Sequence, residues 1–257
     1  MTMNRREFHS FGLAAAAGGW SAAVVAESST PAYYEIRTYE LRNDLAVDKL
    51  HGFLEKVWLP AVRPMLGGPV GVFNVALGQP TPAVLVLMQH NSPAGVKANT
   101  ELTALERGWV QEWKKYEMGG MPYLRYHSQL FRAFAAHPRV EVPPASSQGH
   151  YFELRCYESG DSFRSAAKIE MFNLEEIKIF RECGMHPVFF GEAVIGTRLP
   201  HLTYMLAFTD PAHREQAWDK FRVHPDWLRI RDDARWADTV SSISASFLRA
   251  AGYSEIR

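Results

Sequence analysis

Tyr33-Tyr34-Glu35-Ile36-Arg37-Thr38-Tyr39-Glu40 returns 118 residues later as Tyr151-Phe152-Glu153-Leu154-Arg155-Cys156-Tyr157-Glu158. Held without gaps, the same offset aligns Pro69 with Pro187, Gly78 with Gly196, Pro82 with Pro200, Pro93 with Pro211 and Trp109 with Trp227. A repeat of this length means two copies of one folding unit. The repeat divides the 257 residues into two units of roughly 105 residues, an ordinary domain size. The expected boundaries are 33–136 for the first copy, 137–149 for a Pro/Ser-rich linker and 150–250 for the second copy.

Hydrophobic spacing and turn signals give each copy the same order of elements. In the first copy a strand at Tyr33–Leu41 precedes a helix at about Asp44–Met65, which Gly67-Gly68-Pro69 stops. A hairpin of Val70–Leu77 and Ala83–His90 follows, then a helix from Ser92-Pro93 to about Glu117 and a strand at Tyr123–Phe134. The second copy repeats this with Tyr151–Glu158, Ser162–Glu182, Val188–Ile195, Leu202–Phe208, a helix capped by Asp210-Pro211 and a strand at Val240–Leu248. His224-Pro225 predicts a helix break near Val223, because proline loses a hydrogen bond and clashes with the preceding turn. The order β-α-β-β-α-β is the ferredoxin-like arrangement. The fold class is therefore α+β: tandem ferredoxin-like repeats packed sheet to sheet, with helices outside and the sheets closing a barrel.

Alternation assigns the faces of the copied strand. Tyr34, Ile36 and Thr38, with Phe152, Leu154 and Cys156, form the more apolar set and are expected beneath each copy's helices. Tyr33, Glu35, Arg37 and Tyr39 match Tyr151, Glu153, Arg155 and Tyr157 identically and are expected inside the barrel. Buried there, Glu35 would pair with Arg37 and Glu153 with Arg155. Arg37, Tyr39, Arg155 and Tyr157 are thus candidate ligand-binding residues, with an ion-pair lattice as the competing reading.

Residues 1–26 differ in composition. Arg5-Arg6 precedes a small, apolar run ending in Val24-Val25-Ala26. This resembles a twin-arginine export signal and predicts a periplasmic or envelope location, with no stable membrane span after cleavage. The formal net charge is zero, and removing Arg5, Arg6 and Glu7 leaves the chain one charge short of neutral. With no basic stripe, nucleic acid is not an expected partner. Cys156 and Cys183, the two cysteines, read as buried unpaired thiols.

The second copy carries further motifs: Pro187-Val188-Phe189-Phe190-Gly191, Leu199-Pro200-His201-Leu202-Thr203-Tyr204, Asp210-Pro211-Ala212-His213-Arg214 and His224-Pro225-Asp226-Trp227. With the Tyr-Glu-x-Arg-x-Tyr strand, these resemble the NIPSNAP family of the dimeric α/β-barrel superfamily, over nearly all of residues 33–249 and most strongly over 187–227. The first copy lacks an arginine after Ser92-Pro93 and has no His-Pro-x-Trp. The second copy is therefore the expected location of any ligand site, with His224 and Trp227 as further candidates, although Trp227 reads first as a packing anchor. The resemblance implies little chemistry, since the superfamily includes cofactor-free oxygenases, haem-handling enzymes and small stress proteins.

Glu192 lies in an apolar strand, with His201 and Tyr204 on the next one. These three form a candidate catalytic set for a cofactor-free oxygenase or isomerase. Against that stands a Glu192 turned into the barrel and paired with Arg37 or Arg155. Ten histidines raise a metal question, and His186, His201 and His224 could converge. No HxH, HExxH or CxxC spacing occurs, and no histidine matches a haem ligand position, so neither metal nor cofactor is expected. Arg214 reads as a solvated residue, pairing with Asp210 or Glu215 or reaching the hairpin. The favoured function is an exported protein binding a small molecule or a protein partner. A self-association patch on a sheet edge or helix remains open.

Overall fold

The computed structural model describes residues 31–42, 44–96, 106–108, 121–147 and 149–257. Residues 1–26, where an export signal is expected, Trp109 and most of the helix expected over Ser92–Glu117 lie outside the described residues.

The first copy runs β1 (Tyr33–Leu41), α1 (Asp44–Phe53), α2 (Leu59–Val62), β2 (Gly71–Leu77), β3 (Ala83–His90) and β4 (Tyr123–Ala133). The second runs β5 (Tyr151–Glu158), α3 (Ser162–Met171), α4 (Ile177–Glu182), β6 (His186–Ile195), β7 (His201–Phe208), α5 (Pro211–Arg222), α6 (Pro225–Arg231) and β8 (Ser242–Ala250). One π turn joins α1 to α2 at Leu54–Trp58, and another joins α3 to α4 at Phe172–Glu176. These turns are again 118 residues apart, so the repeat preserves even this widened turn. The Asp210 carboxylate caps α5 by accepting from the His213 amide, and the helix breaks at Val223 before Pro225 restarts it.

The eight strands of the described residues form one closed barrel in the order β1-β3-β2-β8-β5-β7-β6-β4. Within each copy the order is that of a ferredoxin-like sheet. Closure comes from two antiparallel seams between copies, β2 with β8 and β4 with β6. Each sheet thereby loses both free edges, which an isolated copy would expose. The offset is not constant to the end. Arg37 faces Ser128 across β1–β4, whereas Arg155 faces Ala245 across β5–β8, so the last strand of the second copy arrives one residue early.

The two faces of the copied strand are the reverse of the expectation from sequence. Tyr39 packs with Leu50, Phe53 and Trp58 of the helical layer. Arg37 and Glu35 sit opposite Val86 and Met88, which belong to that same cluster. Tyr34 and Ile36 instead join Phe73, Phe131, Phe152, Phe189 and Met205, a cluster drawn from both copies inside the barrel. The reason is the narrowness of an eight-stranded barrel, whose interior has room only for one set of side chains or a small ligand. Aromatic and aliphatic groups plug one half of it without hydrogen-bonding demands. The charged ladder lies under the helices, where helix and strand groups can satisfy it.

Candidate functional site

The ladder itself is fully engaged. The Glu35 carboxylate accepts from Arg37 Nη2 at 2.7 Å and from Ser128 Oγ at 2.7 Å, and lies 3.3 Å from His90 Nε2. Burial pushes the Glu35 carboxyl up, but His90, Arg37 and Ser128 together outweigh that and hold it at about 2. In the second copy, the Glu153 carboxylate accepts from Arg155 at 2.6 Å, from Arg214 at 2.9 and 2.8 Å and from Trp218 Nε1 at 2.9 Å. Burial again raises its pKa, and Arg214, Arg155 and Trp218 reverse the shift to a net lowering. Arg214 is thus no solvated residue. It reaches from α5 to clamp a carboxylate on β5, and it also touches Glu215.

The ion pairs expected from the sequence exist, but under the helices. Tyr39 and Tyr157 accept from Arg37 and Arg155 at 3.5 and 3.3 Å. With these partners in place, Arg37, Tyr39, Arg155 and Tyr157 form a buried structural lattice outside the barrel interior.

The structure does not bring Glu192, His201 and Tyr204 together. Glu192 is half-exposed at the β4–β6 seam and accepts from Arg132 Nη2 at 2.5 Å; it pairs with neither Arg37 nor Arg155. Tyr204 is wholly buried on the helical side, stacked on Phe180 and Phe190, and donates to the Tyr157 hydroxyl at 2.9 Å. His201 points to the other face of β7, into the barrel.

His186 and His201 lie at opposite ends of the barrel, since His186 faces Ala207 near the end of β7 while His201 begins that strand. His224 caps α6: its Nδ1 accepts from the Asp226 amide at 3.3 Å, and its Nε2 faces Glu182 at 3.4 Å. Glu182, His224 and Asp226 place potential ligand atoms within 4.8 Å of one another. Both imidazole nitrogens there already have protein partners. Trp227 packs on Phe221 with ring centroids 4.5 Å apart, and Lys168 Nζ sits 5.6 Å from its ring.

A site does open inside the barrel. One half of the interior is plugged by aromatic pairs, Tyr34 on Phe189 and Phe73 on Phe152, with centroids 5.4 and 5.0 Å apart. The other half holds a cavity of about 480 Å³. Ile36, Leu85, Phe131, Leu154 and Leu248 supply its apolar wall. Thr38, Gln129, Cys156, His201, Thr203 and Ser244 supply hydrogen-bonding groups, and Gly78–Pro80 and Arg198 stand at its mouth. His201 Nδ1 lies 3.3 Å from Cys156 Sγ and 3.3 Å from Thr203 Oγ1, while Nε2 is buried with no hydrogen-bond partner among the described residues. Burial lowers the pKa of the His201 imidazole and raises that of the Cys156 thiol, so both groups are neutral near pH 7. Both copies contribute to the cavity, so neither could form it alone. Sequence reasoning missed it because Cys156 and His201 are 45 residues apart and meet only through the β5–β7 register, in which Cys156 faces Thr203.

The NIPSNAP family model matches residues 34–137 and again residues 152–255. The chain belongs to the NIPSNAP family. No curated protein matches it in sequence. Among solved structures, this NIPSNAP chain resembles a candidate monooxygenase from Lactobacillus acidophilus NCFM at 9% identity, with a TM-score of 0.58, over 86% of this chain and 94% of that one. A candidate monooxygenase from Fusobacterium nucleatum aligns at 6% identity and a TM-score of 0.55, over 86% and 93% of the two chains. A candidate chlorite dismutase, TA0507, aligns at 12% identity and a TM-score of 0.52, over 88% and 97%. At such identities the likeness is one of fold: a dimeric α/β barrel, formed in this NIPSNAP protein within one chain.

Proposed function

We propose that this NIPSNAP protein binds a small organic molecule inside its barrel, after export to the cell envelope by the twin-arginine-type segment at Arg5-Arg6. The supporting observation is the cavity of about 480 Å³ built by both copies, within the size range of ligand pockets. Its chemistry selects the ligand class. An apolar wall ringed by hydroxyl, amide and imidazole groups suits a neutral molecule with an apolar body and a carbonyl or hydroxyl head. Leu77, Ile195, Leu199 and Ile243 expose apolar surface at the same end of the barrel, which favours entry of such a molecule there. His201 lies on the opposite face of β7 from Tyr204, and Glu192 and Tyr204 are engaged separately by Arg132 and Tyr157; this removes the support for their joint catalytic role, so binding is favoured over the oxygenase or isomerase reading.

Native mass spectrometry of the full chain purified from its own envelope tests this. A bound small molecule is expected in the wild type and is lost in Leu154→Trp, which fills the cavity. An empty wild type, or a ligand retained unchanged in Leu154→Trp, refutes barrel binding. Replacement of Arg5 and Arg6 by lysine is expected to leave the chain in the cytoplasm on cell fractionation; unchanged export refutes the twin-arginine route, and a wild-type chain found in the cytoplasm refutes the location.

A further inference from the structure

We infer that Cys156 is a covalent capture site in the barrel, where its thiol adds to the β-carbon of an α,β-unsaturated carbonyl compound with His201 as the base. The inference rests on the barrel-binding reading and names the reactive ligand class that this cavity takes. Three observations converge. Cys156 and His201 line the same cavity. Sγ and Nδ1 are 3.3 Å apart, within reach for proton transfer. His201 is 98% buried by its 2% exposure, yet its Nε2 makes no well-formed hydrogen bond among the described residues, with the Thr197 and Leu202 backbone near the ring. If Nδ1 accepts the thiol proton, Nε2 carries hydrogen and is a buried donor. Leaving such a donor unmade is unfavourable, and the carbonyl oxygen of a bound ligand is a suitable acceptor.

The step balances without an oxidant or reductant. The Cys156 S–H bond breaks and its proton passes to Nδ1 of His201. The Sγ–C bond forms at the β-carbon as the C=C π bond opens, and the resulting enolate takes the proton back at its α-carbon. The product is a thioether with both protein groups neutral again. Neutral thiol and neutral imidazole are the required starting states. The charged and titratable groups near the pair are Glu158 on β5, Arg198 on the β6–β7 hairpin and His127 on β4. Arg198 and Glu158 bond each other at 3.0 Å, which limits the field either imposes on the thiol.

Treatment of the full chain with N-ethylmaleimide, a small conjugated carbonyl compound, tests this by peptide mass mapping against time. Cys183 is the internal control, since it is also buried and unpaired but lies in the helical core. Cys156 is expected to react at least about ten-fold faster than Cys183, and His201→Gln to slow it by on the order of ten-fold or more without changing Cys183. In the wild type the Cys156 rate should be nearly level from about pH 6.5 to 8, because the reacting thiol and imidazole are both already neutral. Equal labelling of the two cysteines, or a Cys156 rate climbing about ten-fold per pH unit as for a free thiolate, overturns the inference without any variant. Binding of 1-naphthol, measured alongside, separates this inference from the one beneath it. Binding without alkylation refutes covalent capture alone, whereas neither binding nor alkylation refutes both readings.

Discussion

The two copies share a strand ladder but cover it differently. In the second copy α5 sends Arg214 and Trp218 onto Glu153. At the position of Arg214 the first copy has Val96, and among the described residues Glu35 is met by Arg37 on its own strand and by Ser128 and His90 on the neighbouring ones. A second difference lies under the first helix of each copy. Leu50 and Trp58 are buried in an apolar cluster. Their counterparts 118 residues later are Lys168 and Glu176, buried and 2.7 Å apart. The Lys168 ammonium also sits 4.8 Å from the Phe172 ring, so aromatic faces supply part of the solvation it lost. Duplication has conserved the backbone and the ladder, while the helical cover took an apolar solution in one half and an ionic one in the other.

The largest expected effect breaks the ionic solution. Lys168→Leu leaves Glu176 buried without its cation and should cost about 3–5 kcal/mol in urea unfolding. Adding Glu176→Met turns the second copy toward the apolar solution of the first and should recover most of that loss. A double variant as unstable as the single one would show that the two halves do not tolerate the same cover.

Acid should separate the halves next. Glu35 is held at about 2, below its unfolded value. Its stabilisation is therefore present above about pH 4.5 and is lost as pH falls through about 2. A shift of this size corresponds to roughly 3 kcal/mol. Unfolding free energy measured down through this window should fall in the wild type and much less in Glu35→Gln, whose starting stability is lower. The smallest effect belongs to the seam between copies. Arg132 and Glu192 are both partly exposed, so Arg132→Ala should cost no more than about 1 kcal/mol. A loss several times larger would mean that the halves depend on that contact to close.

The duplicated architecture was legible because identical residues recur at a fixed offset, and the break at Val223 because Pro225 allows little else. The orientation of the copied strand was not legible, because β1 is buried on both faces over most of its length. Alternation separates two sets of side chains, but it does not say which set meets the helices when both are buried. Tyr34 and Ile36 looked like a helix-facing set only on the premise that charge avoids the helical core. Arg214 overturns that premise by carrying its own charge into the core. Cys156 and His201 were visible as residues but not as neighbours, since their contact depends on strand register and barrel closure together.

A double-mutant cycle between Glu153 and Arg214, read by equilibrium urea unfolding, tests most directly whether the charged ladder lies beneath the helices. Removing both side chains should cost less than the sum of the single losses, with a coupling of at least about 1.5 kcal/mol. A coupling near zero would contradict the orientation of the strands and the placement of Tyr34 and Ile36 inside the barrel that follows from it.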